Sequence, residues 1–284
     1  MRVVTTRAAL GRELADVRRS DRRIGLVPTM GALHEGHLSL CDQARSLCDV
    51  LVLSVFVNPL QFGPGEDLAR YPRALDRDRE LAAGRGVDLV FAPPTAEMYP
   101  EPATRVYVTA PALADRLCGA WRPGHFDGVL TVVAKLFHVV QPAVAVFGQK
   151  DLQQAALVRR MVRDLDFPVD VRIGPVVRDR AGLALSSRNA FLSPEERRSA
   201  QALPRALFAA RDAWRAGERD GARLLARARR ELDAEPGVRL QYLELVDAQS
   251  LDRLDTAVPG AALAVAGHVG ATRLIDNVLL DDET

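Results

Sequence analysis

Lysine is nearly missing from this chain. Lys135 and Lys150 are the only two in 284 residues, although arginine brings the basic total to 38 against 37 acidic residues. The resulting net charge of +1 lacks the broad basic footprint of a nucleic-acid binder, so small molecules or proteins are the expected partners and nucleic acid is not. With so few lysines, one inside a polar motif draws attention. Cysteine is scarce too: Cys41, Cys48 and Cys118 form an odd set without CxxC or Cys/His spacing, which argues against a disulfide framework or a zinc site. Cys41 and Cys48 are expected on one buried helix face, as packing residues. No run of about 18 apolar residues is present to span a bilayer, and Met1 to Leu14 has no continuous apolar stretch of the signal-peptide kind. A cytoplasmic protein away from the membrane is expected.

What is present is ordinary globular composition, 48% apolar and 26% charged, at a length that points to two domains. Short apolar runs alternate with amphipathic segments through the first 175 or so residues. Strands are expected at Ile24 to Val27, Val50 to Val57, Val87 to Phe91, Val144 to Phe147 and Val169 to Ile173. Helices should fall at about His37 to Leu47, Arg73 to Ala83, a stretch ending before Pro142, and Leu152 to Leu165. Continuous apolar strands in βαβ rhythm imply a parallel sheet covered on both faces, whose ligands bind at the carboxyl ends of the strands. The texture then changes. Ser193-Pro194-Glu195-Glu196 supplies an N-cap, a first-turn proline and a capping-box glutamate, predicting one long helix to about Ala216. A helix over Ala222 to Leu232 and strands at Leu240 to Val246, Ala261 to Ala266 and Arg273 to Leu280 follow. The fold class is therefore α/β, a Rossmann-like parallel sheet domain over 1–177 and a smaller α+β lid domain over 178–284.

The stretch Val27-Pro28-Thr29-Met30-Gly31-Ala32-Leu33-His34-Glu35-Gly36-His37 reads as a strand, a turn at Pro28 to Gly31, and a helix with two histidines in its first turn. A helix N-terminus offers unpaired N–H groups and the positive end of its dipole, which suits phosphate. His34 and His37 are neighbours on one face, with Gly36 leaving the backbone bare between them. The plainer alternative is one buried and one solvated histidine. Asn58 and Gln61, after the second strand, are neutral amides suited to reading hydroxyls and a carboxylate, or else belong to an ordinary loop. Gly148-Gln149-Lys150-Asp151 follows a strand and starts a helix, so its backbone can cradle phosphate or ribose while Lys150 adds a mobile charge; a surface cap is the alternative. Ser186-Ser187-Arg188 offers two hydroxyls and a guanidinium as a pyrophosphate clamp, or a polar turn between domains. Arg122 and His125 bracket Pro123-Gly124 as a rim over the site or as structural residues. Asp78 and Asp88 are weighed as outer-sphere magnesium contacts against carboxylates on a solvated face, which is the preferred reading.

HxGH after a first strand resembles the pattern of the nucleotidylyltransferase superfamily, shared with class I aminoacyl-tRNA synthetases. The run Asn58-Pro59-Leu60-Gln61-Phe62 through Glu66-Asp67-Leu68-Ala69-Arg70-Tyr71-Pro72-Arg73 is more specific. So is the ordered set Gly86 to Pro93, Arg122 to Phe126, Val133 to Phe137, Phe147 to Asp151, Leu183 to Asn189 and Arg273 to Asn277. Together they resemble the pantoate–β-alanine ligase family over nearly the full chain. His138 and Gln149 depart from it, standing where Asn and Glu are common, which puts local packing and polarity in question rather than the activity.

The resemblance implies ATP-dependent condensation of pantoate with β-alanine through a pantoyl adenylate, with ATP as substrate, Mg2+ as cofactor and a homodimer as assembly. It implies catalytic roles on the triphosphate for His34, His37, Lys150, Ser186, Ser187 and Arg188. Met30, Asn58, Gln61, Gln154, Arg122 and His125 would serve pantoate and β-alanine. The nucleotide would be lined by Met30, Gly31, His34, Gly36, His37, Gly148, Gln149, Lys150, Asp151, Val177, Leu185, Ser186, Ser187 and Arg188. A metal ligand set is not assigned. The rivals are another small-molecule nucleotidylyltransferase such as a cytidylyltransferase, a class I synthetase, and a nucleotide-binding regulatory module without turnover.

Overall fold

The computed structural model describes residues 1–101 and 104–281. The chain divides into two compact units: Met1–Asp115 with Gly119–Gly148 and Leu157–Gly174, and Arg116–Cys118 with Gln149–Ala156 and Pro175–Thr284.

The first unit is built on a six-stranded sheet in the order β1-β4-β3-β2-β5-β6, all neighbours parallel. In chain order its elements are β1 (Arg2–Val4), α1 (Arg7–Arg19), β2 (Ile24–Thr29), α2 (Glu35–Arg45), β3 (Val50–Val55) and α3 (Leu75–Ala83). They continue with β4 (Leu89–Phe91), α4 (His125–Val140), β5 (Val144–Gly148), α5 (Leu152–Asp164) and β6 (Asp170–Gly174), the first turns of α5 belonging to the other unit. Val27, Leu51, Leu53, Val144 and Val146 are fully buried beside Leu38, Cys41 and Ala44 of α2. That is why these strands read as unbroken apolar runs. The chain lays strands outward from β2 on one side and from β5 on the other, so the strand order reverses between β2 and β5. Sheets of this kind bind ligands at that reversal.

Two elements at the start were not foreseen: β1, which is short, and α1, which buries Leu10, Leu14 and Val17 and is capped by Thr6, whose hydroxyl accepts the Ala9 N–H. The first-motif helix also begins earlier than expected, at Glu35, with His34 as its N-cap. Cys48 lies beyond the end of α2 rather than on its face, its thiol bonded to the Ala44 carbonyl, and all three cysteines are free.

The second unit pairs an antiparallel sheet β7-β8-β9 (Val238–Asp247, Ala261–Val269, Thr272–Leu280) with α6 (Ala202–Arg215) and α7 (Gly221–Asp233). Leu203, Leu207, Trp214, Leu224, Leu263 and Val265 form its core. The capping box at Ser193 and Glu196 is present, but the long helix expected after it is two pieces, Pro194–Ala200 and Ala202–Arg215. Pro204 supplies the reason: it has no N–H for the Ala200 carbonyl, and its ring crowds that carbonyl. No helix among the described residues is long and apolar enough to cross a membrane.

Candidate active site

β2 delivers the chain to a turn at Met30 to Leu33 that only particular residues tolerate. Gly31 and Ala32 both have positive φ, and a Cβ at Gly31 would lie 2.9 Å from both the Asp78 carboxylate and Val55. Thr29 braces the turn, its hydroxyl donating to the Ser54 carbonyl at 2.7 Å and accepting the Gly31 N–H at 3.1 Å. Asp78, from α3, accepts the N–H groups of Ala32 at 2.9 Å and Leu33 at 2.7 Å. It is 2% exposed, so the solvated-face reading of this carboxylate is wrong. Asp88 keeps a plain role, paired with Arg45 at 2.7 Å and accepting the Leu51 N–H.

His34 then caps α2 with its ring, Nδ1 accepting the Gly36 N–H at 3.1 Å. An accepting Nδ1 carries no proton, so the neutral ring holds its hydrogen on Nε2 and presents a donor there. The His37 ring stacks on it, centroids 4.1 Å apart and 31° from parallel. The two imidazoles thus share one end of one helix, beside N–H groups that favour negative charge.

Asn58 and Gln61 sit next to this turn. Asn58 is 1% exposed and caps the short 3-10 turn Pro59–Gln61. Its oxygen accepts from Leu60 N–H and the Tyr99 hydroxyl, and its amide donates to the Gly128 carbonyl and to Gln61 Oε1. The Gln61 amide in turn reaches Met30 Sδ at 3.1 Å. Gly128 allows this closeness, since a Cβ there would lie 2.3 Å from the Leu60 carbonyl oxygen.

Arg122 and His125 grip the same turn from its backbone side. Arg122 Nη2 and His125 Nδ1 both bond the Gln61 carbonyl, at 3.2 and 2.7 Å, and Arg122 Nη1 lies 2.9 Å from His125 Nε2. A guanidinium can only donate, so His125 Nε2 accepts and the ring proton is on Nδ1, facing the carbonyl. Glu66 anchors the guanidinium with two bonds of 2.7 and 2.6 Å. Burial alone would raise the Glu66 carboxyl, but the hydrogen bonds and charge of Arg122 outweigh it and hold it below its ordinary range. On its other side Arg122 borders a cavity of about 150 Å³ with Asp115 and Asp127, where burial and the Asp115 charge push Asp127 up. Gly148, at the end of β5, completes the residues expected from the sequence that fall in this unit.

The others belong to the second unit. Gln149–Asp151 form a 3-10 turn ahead of α5, with Lys150 Nζ 3.8 Å from Asp151 and Gln154 half-buried in the first turn of α5. Val177 and Leu185 close a hairpin through the Leu185 N–H to the Val177 carbonyl, 2.9 Å. Ser186 caps the turn Ser187–Phe191 by accepting the Arg188 N–H. His138 donates from α4 to the Ala134 carbonyl and packs edge-on against Phe167, which makes it a packing residue. Sequence reasoning passed over Glu66, Gly128, Asp276 and Asn277 as individuals. Three of them stand inside the signature runs, but partners remote in the chain are invisible there.

The sequence profile described as pantoate-beta-alanine ligase matches residues 2–279. The chain is 54% identical over 281 residues to the pantothenate synthetase of Moorella thermoacetica, covering 99% of each. It is 54% identical to pantothenate synthetase 1 of Bradyrhizobium diazoefficiens, covering 99% of this chain and 98% of that one. Among solved structures it resembles the pantothenate synthetase of Thermus thermophilus with a TM-score of 0.93 and 52% identity, over 99% of this chain and all of that one. A ligase from Francisella tularensis, solved with beta-gamma ATP and beta-alanine, matches with a TM-score of 0.79 and 32% identity, over 99% and 98% of the two chains.

Proposed function

The chain belongs to the pantoate-beta-alanine ligase family, and from that membership we propose how its own residues divide the work. The enzyme joins pantoate to β-alanine at the expense of ATP. The full-length match to the family is the observation that carries this reading. A carboxylate oxygen of pantoate attacks the α-phosphorus, the bond to the β-phosphate breaks, and pyrophosphate leaves. The β-alanine amine then attacks the acyl carbon of the pantoyl adenylate, AMP departs, and the amide remains. No covalent bond to the protein is required, so catalysis consists of positioning and charge stabilisation.

His34 and His37 are assigned to the triphosphate, as donors to oxygens on which charge builds during attack. The bond from Gly36 that places the His34 proton on Nε2 supports this. Lys150, Ser186, Ser187 and Arg188 are assigned to the same anion, and Gly148 to Asp151 with Val177 and Leu185 to the rest of the nucleotide. Met30, Gln61 and Gln154 are assigned to pantoate. Asn58 acts through Gln61, because its own amide is engaged by protein partners. Arg122 and His125 hold the Gln61 carbonyl, with Arg122 also facing the small cavity where β-alanine would approach. Magnesium is assigned to the triphosphate, since it keeps several waters and binds substrate phosphates, with no ligand named from this chain. A cytoplasmic homodimer belongs to the same proposal; light scattering should return twice the monomer mass.

The test is AMP release with pantoate, ATP, magnesium and β-alanine, each left out in turn. Release should need all three organic substrates. AMP formed without pantoate, or a stable nucleotidyl product indifferent to β-alanine, would point to another nucleotidylyltransferase.

A further inference from the structure

Two stretches of the second unit carry its nucleotide assignments, the turn Gln149–Asp151 and the segment Ser186–Arg188. Neighbouring residues on β9 are bonded to the supports of both. Asn277 is 2% exposed, in a strand where a polar side chain is costly unless paired. Its amide is paired entirely to one turn: Nδ2 donates to the carbonyls of Gln149 at 2.9 Å and Lys150 at 3.0 Å, and Oδ1 accepts from Gln149 Nε2 at 3.1 Å. Next to it, the Asp276 side chain is 1% exposed and meets Arg178 in a two-point pair of 2.6 and 2.9 Å. Arg178 passes further bonds to the carbonyls of Gly182 and Asn277, both 3.0 Å. It also bridges to Ala184 across the hairpin that runs into Ser186, and the Asn189 amide ties that turn back to the Ala184 carbonyl.

Resting on the ligase reading above, we propose that Asp276 and Asn277 are positioning residues for ATP. Asn277 sets the backbone that carries Lys150, and Asp276, through Arg178, sets the hairpin that delivers Ser186 to Arg188. A buried carboxylate and a buried amide adjacent on one strand are poor sheet formers. Apart from the Asn277 N–H that Asp276 also accepts, their side-chain hydrogen bonds run to the Gln149–Lys150 turn and to Arg178 of the hairpin, which gives their presence a reason that packing does not. Gln149 is part of the same unit, its Nε2 donating to Asn277 Oδ1.

The experiment compares Asn277→Ser with the wild type in pantoate-dependent pyrophosphate exchange, with ATP affinity by calorimetry as a readout that needs no turnover. The expected result is a KM and Kd for ATP raised about tenfold or more, with the KM for pantoate within about twofold. Gln149→Leu should show the same split more weakly and add little in the Asn277→Ser background, because the two act as one unit. Equal rises for both substrates, or wild-type ATP constants in a folded variant, overturn the proposal. Should Asn277→Ser not fold, Asp276→Asn decides, since Asp276 meets Arg178 and is not assigned to the nucleotide: the same split is expected, and wild-type ATP affinity overturns the proposal. Wild-type protein that binds ATP but fails in AMP release strikes the ligase reading, whereas active wild type with unsplit variants strikes only this one.

Discussion

Asp78 and Leu33, far apart in the chain, are joined by a 2.7 Å hydrogen bond from the Leu33 N–H to the buried carboxylate, with a second bond from Ala32. The turn that presents His34 is therefore held by an acceptor on another helix. Asp78→Ala should leave two amide groups without that acceptor and destabilise the fold by about 2–3 kcal/mol. Asp78→Asn, keeping one acceptor oxygen, should cost less. Denaturant unfolding measures both, and an Asp78→Ala protein as stable as wild type would remove Asp78 from this role.

His37→Ala should retain the fold, because its ring lies at the helix end, stacked on that of His34. Adenylate formation should fall by about 2.7–4 kcal/mol in transition-state stabilisation, the scale seen when one donor to a developing oxyanion is removed. Exchange of labelled pyrophosphate into ATP, dependent on pantoate, reads that step alone. Wild-type exchange would sink the assignment.

Gln61→Ala should weaken pantoate far more than ATP, since its amide lies against Met30 while the triphosphate is assigned elsewhere. Gly128→Ala should act in the same direction from a distance: its methyl group would meet the Leu60 carbonyl and push the turn away. Overpacking of this kind costs about 1–3 kcal/mol. Calorimetry with each substrate separately tests both variants, and equal losses of pantoate and ATP binding would count against them.

Glu66 gives the pH dependence a sign. Burial would raise its carboxyl, but Arg122 holds it below the ordinary value of 4.5. A carboxylate depressed in the folded state adds stability that is present above its unfolded value and is lost as pH falls through the folded one. The stability gap between wild type and Glu66→Gln should be widest near neutrality and should narrow below about pH 4.5. Unfolding curves across that range measure it; a gap unchanged down to about pH 3 would show that Glu66 is not held by Arg122 in solution.

Legibility varied with the reach of the interaction. The parallel sheet could be read because Val50–Val55 and Val144–Gly148 are buried on both faces, which writes itself as unbroken apolar runs. Ser193 and Glu196 could be read because a capping box is local. The break at Gln201 was less visible, since the capping signal promised continuity and only Pro204 argued against it. Asp78 was misjudged for a physical reason: a carboxylate among charged neighbours on a short helix looks solvated until the Ala32 and Leu33 N–H groups are brought against it.

By itself, then, the sequence determined the α/β class, the HxGH turn at the end of β2, and the family, because periodicity, caps and ordered motifs are properties of neighbouring residues. Tertiary structure decided which polar residues face chemistry and which hold those that do. Asn58 and Gln61 look alike as a pair of amides, yet Asn58 is enclosed by Gly128 and Tyr99 while Gln61 lies against Met30. Asp276 and Asn277 look like interruptions in a strand, yet they grip Arg178 and the Lys150 turn. A hydrogen bond depends on distance in space, and only the fold sets that distance.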